Sequence, residues 1–113
     1  MTRSLDATDV DDLAVGAWIL GTGGGGNPYL NHLNVQQIAA TGTQFELIDP
    51  QELDDDAQVA VVSTMGAPLV MQERLQDARD VARVVEIMGE YLGSSFDAVM
   101  ATEIGGSNAF QPL

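Results

Sequence analysis

Cysteine is absent, so disulfide frameworks, thiolate nucleophiles and thiolate metal sites are excluded from the start. Lysine is absent as well: the four basic residues are arginines, set against 17 Asp and Glu, for a formal net charge of -13. Such a chain has no basic stripe with which to neutralise phosphates, which argues against nucleic acid and anionic membrane surfaces as partners. Long apolar runs are missing too, and stretches such as Val59–Val62 fall far short of the ~20 residues of a membrane span. No basic-then-apolar leader follows Met1, and a cytoplasmic location is expected. Histidine occurs once, as His32.

What remains is ordinary for a folded domain. Hydrophobic residues make up 45% of the sequence, too many for a disordered acidic tail. At 113 residues, one core is expected. The acidity implies a self-repelling surface, and repulsion between exposed charges is screened within about 10 Å at 0.1 M salt. Adaptation to high salt is the expectation, with an acidic protein of an Arg-favouring genome as the alternative.

Periodicity predicts a helix over Asp9–Leu20, with Leu13, Ala14, Ala17, Trp18 and Leu20 at helical spacing and acidic residues in its first turn. The glycines from Gly21 to Gly26 end it, because a helix interior does not accommodate such a run. Pro28 fits the first position of a second helix ending at Gly42. A short strand is predicted over Gln44–Ile48, followed by an acidic turn. Val59–Ser63 reads as a buried strand, Leu69–Leu92 as a helix most secure from Gln76, and Phe96–Thr102 as a second strand of a βαβ unit. A last helix begins at Ala109. The fold class is α/β, a small, largely parallel sheet with flanking helices and a helical N-terminal segment, with residues 1–113 as one domain.

Three loops have chemical potential. In the first, the N–H groups of Gly23, Gly24, Gly25 and Gly26, with Asn27, face the start of a helix and suit an anion or carbonyl oxygen. A P-loop is rejected because the run follows a helix and lysine is absent. A plain helix connector is the alternative. In the second, Thr64–Pro68, Gly66 permits close ligand approach at the end of a strand or relieves a tight turn. In the third, Glu103–Asn108, Glu103 suits a general base or metal ligand, Asn108 an orienting donor, and Gly105 and Gly106 a close backbone approach. Here the alternatives are that Ser107 or Asn108 caps a helix and that Glu103 pairs with an arginine. His32 is a lesser catalytic candidate. Met65, Met71 and Met88 read as core filler.

Leu20–Tyr29, Met65–Pro68 and Glu103–Ala109, in this order and spacing, resemble the S-methyl-thiohydantoin desulfurase-like family, whose members are associated with hydantoin utilisation. The resemblance implies an N-terminal α/β domain followed by a β-rich domain, with the glycine-rich loops at a shared pocket. It also implies a chain several times longer, so a truncated hydrolase-like part that does not work alone is expected. A small-molecule ligand and either a separately encoded C-terminal part or a second copy of the chain are the expected partners. Phe110 and Leu113 would be buried against such a part. A non-catalytic binding or regulatory module and an inactive remnant are the alternatives. Neither cofactor nor metal is specified by these motifs.

Overall fold

The computed structural model describes residues 1–74 and 76–113. Asp6 opens the first helix: its carboxylate accepts the Asp9 amide while the Asp9 carboxylate accepts the Asp6 amide. This reciprocal cap starts α1 at Ala7, two residues ahead of the sequence expectation, and α1 runs to Gly21. Thr22 turns the chain with a left-handed backbone (φ 44°), and the loop of residues 22–28 leads to α2, Tyr29–Ala40. The Asn27 side chain accepts the Tyr29 amide at 2.8 Å, and Pro28 is buried beneath the turn.

The helices pack side by side and hold most of the core: Val10, Ala14 and Ala17 of α1, Val35 of α2, and Phe45 and Phe110. Phe45 begins β2, Phe45–Leu47, which pairs antiparallel with β1, Arg3–Leu5. The N-terminal strand was not foreseen. Its presence places the predicted 44–48 strand beside the helical hairpin, outside the parallel sheet.

The parallel pair joins β3, Val59–Val62, to β4, Ala98–Ala101, in the register Val59 to Ala98 and Val62 to Ala101. The crossover is two helices where one was predicted. A short α3, Pro68–Glu73, stops at Arg74 in extended conformation, and α4 covers Asp80–Leu92. The Asp77 carboxylate accepts both the backbone amide and the guanidinium of Arg79, a local turn that displaces helix from residues 76–79. The anticipated last helix is a 3-10 turn, Ser107–Phe110. The mixed α/β class stands, with one parallel and one antiparallel pair of strands among the described residues.

Two packing expectations are corrected. Met65 is 97% exposed and Met88 about half exposed, so neither fills the core; Met65 lies in the loop after β3, and α4 buries no residue. Phe110 is 2% exposed within this chain, seated in the hairpin core, so its burial needs no second polypeptide.

Candidate functional site

The C-terminal ends of β3 and β4 lie side by side because the strands are parallel and in register, so the loops that follow emerge on the same edge. Asn108 ties them together. Its Oδ1 accepts the Thr64 amide (2.9 Å) and hydroxyl (3.0 Å), and its Nδ2 donates to the Thr64 carbonyl (3.3 Å) and to Glu103 Oε1 (2.9 Å). A side-chain amide offers two donors and one oxygen with two lone pairs, and all are engaged here. Asn108 is therefore a buried clamp that orients the exposed Glu103 carboxylate; it does not cap a helix. Among the described residues no arginine pairs with Glu103.

The glycine loops meet backbone to backbone. Gly106 N–H donates to the Ala17 carbonyl, Ser107 N–H to that of Gly26, and Asn108 N–H to that of Gly25. A Cβ on Gly105 would fall 2.2 Å from the Gly21 nitrogen, and one on Gly106 would fall 2.5 Å from the Gly25 carbonyl carbon. Gly106 also has φ 70° and ψ -162°, a region essentially restricted to glycine. The glycines at this crossing thus permit the two loops to touch. Gly24 spends its N–H on the Gly21 carbonyl, whereas the amides of Gly23, Gly25 and Gly26 donate to no protein acceptor among the described residues. A Cβ on Gly25 would also meet Glu103 Oε2 at 2.9 Å, which places the loop directly against that carboxylate.

Other predicted residues lie apart from this cluster. His32 Nε2 is 2.8 Å from Asp11 Oδ1, and its ring is tilted 37° against Phe110 with centroids 6.0 Å apart. It links α2 to α1 and makes no hydrogen bond to Glu103 or Asn108. Hydrogen bonds from His32 and then Gln36 hold the Asp11 carboxyl below its ordinary pKa. Gly66 lines a cleft of about 590 Å³ between α2, the α3–α4 crossover and residues 110–113, with Val35, Met71 and Val85 on its walls. Glu103 does not line that cleft, but Thr64 and Gln111 do, and Thr64 bonds to Asn108.

Sequence reasoning missed Gln111 and Asn31, and it named Thr64 only as the start of the second loop, without the bond to Asn108. Asn31 Nδ2 donates to the buried Ser107 through its hydroxyl (3.0 Å) and carbonyl (3.1 Å). The signal for Thr64 was its position, a hydroxyl directly after a strand on the ligand-facing edge; Asn31, one turn into α2, gave none. No three His, Asp or Glu side chains converge among the described residues in a way that could hold a metal ion.

Residues 8–113 match the family model described as S-Me-THD-like, N-terminal domain, and the chain belongs to that family. No curated protein and no solved structure matches it. The match spans the interlocked glycine loops and the Asn108 clamp together, and the family is consistent with a hydantoin-utilisation-like protein.

Proposed function

We propose that this domain supplies the acid–base wall of an enzyme of the hydrolase or desulfurase kind acting on small hydantoin-like cyclic amides, completed by a further β-rich domain. The observation that carries this reading is the Glu103 carboxylate, exposed at the C-terminal edge of parallel strands and held at 2.9 Å by an amide with no remaining freedom. Orientation is what a general base needs, and it is fixed here before any ligand arrives. At a thioimidate carbon, water activated by Glu103 would break the C–S bond, the proton passing from Glu103 to the leaving thiolate; at a ring carbonyl, the same attack would form an oxyanion adduct whose ring C–N bond breaks as Glu103 returns the proton to the leaving nitrogen. The free amides of Gly23, Gly25 and Gly26 would receive the developing oxyanion, at about 3 kcal/mol per well-placed donor. In this reading His32, bonded to Asp11, serves helix packing and takes no part in the chemistry. The acidic surface fits a salt-adapted protein of the cytoplasm.

A second reading, a binding module without chemistry, is favoured by one feature: the 590 Å³ cleft excludes Glu103. Backbone amide NMR during titration with hydantoin separates the two. The enzyme reading expects shifts at Gly25, Glu103 and Gly105, with Glu103→Gln lowering turnover of the completed enzyme by roughly 100-fold or more. Shifts confined to Val35, Met71 and Val85, with Glu103→Gln silent, would establish the module instead. No shift at millimolar hydantoin defeats both.

A further inference from the structure

Thr64 belongs to two places at once. Its amide and hydroxyl hold Asn108, whose Nδ2 holds Glu103, and the same residue lines the cleft of about 590 Å³. Two hydrogen bonds and one amide group separate the Thr64 hydroxyl from Glu103 Oε1, which puts the carboxylate within about 8 Å of a residue of the cleft wall. The loops that carry Thr64 and Glu103 leave the same edge of β3 and β4, where ligands of parallel sheets bind. Away from Thr64 the walls are largely apolar, with Val35, Ile38, Val70, Met71 and Val85. Of the charged side chains that line the cleft, Asp77 and Arg79 pair with each other, and Arg74, Asp80 and Glu86 carry both signs, so it selects neither an anion nor a cation.

We propose that the cleft is a subsite of the site at Glu103, taking the uncharged aliphatic substituent of a cyclic amide whose ring lies against Glu103 and the open glycine amides. The proposal rests on the enzyme reading above and narrows its substrate class from the bare ring to a ring with an apolar side group. A five-membered ring alone is small against about 590 Å³, a volume within the range of cavities that hold a whole small ligand. A ring that bears an isobutyl group on its saturated carbon is long enough to reach from the carboxylate past Thr64 into the cleft. The flexible thioether of Met71 lets the wall close on side groups of different shape. Glu103 and the cleft are then two ends of one site, with Thr64 between them.

Backbone amide NMR of the 113-residue chain, titrated with hydantoin and in parallel with 5-isobutylhydantoin, tests the proposal. Both ligands should shift Gly25, Glu103 and Gly105. The substituted ring alone should add Val35, Met71 and Val85, and it should bind about 10-fold or more tighter. Met71→Glu and Val85→Glu, each with helical circular dichroism retained, should remove that gain, while Val84→Glu, on α4 but outside the cleft, should keep it. Equal affinities, with Gly25, Glu103 and Gly105 shifted by both ligands, overturn the subsite and leave the enzyme reading standing. A gain in affinity that Met71→Glu and Val85→Glu both spare overturns it as well. Hydantoin that moves none of Gly25, Glu103 and Gly105 strikes the enzyme reading itself, and the subsite with it.

Discussion

The helical hairpin and the β3–β4 unit invert the relation between sequence pattern and burial. Helix α4 has the sharper segregation of apolar and charged residues, yet none of its residues is buried, and Val84, Ile87 and Leu92 are all more than half exposed. Helix α1 is less segregated but buries Val10, Ala14 and Ala17 against α2, Phe45 and Phe110. Periodicity therefore reports which face of a helix asks for cover and is silent on what covers it. The radius of gyration, 14.3 Å, exceeds the roughly 13 Å of a tightly packed domain of this length, in keeping with an outlying α4.

The sharpest way to break this contrast is to empty the hairpin core. Phe110→Ala should cost about 3–5 kcal/mol in urea denaturation, because the ring is 2% exposed within the core and its removal leaves a cavity. Next comes the loop crossing that joins the two regions. Gly106→Ala should cost about 3 kcal/mol through backbone strain and contact with Gly25, whereas Gly23→Ala, with φ 88° and open space around it, should cost about 1 kcal/mol. On α4, Val84→Ala should change stability by less than about 0.5 kcal/mol, since nothing is uncovered and alanine favours helix. Hydrogen exchange should show α4 amides opening well before those of α1.

The smallest effect concerns the Asp11–His32 contact. The folded Asp11 pKa is depressed, so the contact stabilises above the unfolded carboxylate value and that contribution is lost as pH falls through the lowered folded value. Carboxyl NMR titration should place Asp11 below 3.8 in the native chain and nearer to 3.8 in His32→Ala.

Much of this was legible in the sequence. Both hairpin helices, both parallel strands and the Glu103–Asn108 loop follow from periodicity, glycine punctuation and strand-end position. The division of the crossover was not, because Val81, Val84, Val85 and Met88 continue a helical pattern and the interruption comes from the Asp77–Arg79 turn ahead of it. Strand β1 was missed because three residues carry no period and form a strand only beside Phe45–Leu47. The clamp was half legible. Asn108 was singled out, but its partner Thr64 is 44 residues away, and only the parallel register joins them.

The seating of Phe110 in the hairpin core also has a consequence for biosynthesis. Polypeptides are made at about 5–20 residues per second, so roughly 4–15 s separate Val35 from Phe110 on the ribosome. Throughout that interval the residues of α1 and α2 lack the ring that completes their shared core, and the glycine crossing lacks the Gly105–Asn108 half of its contacts. The native hairpin core is therefore closed only once the segment carrying Ser107–Phe110 has been made.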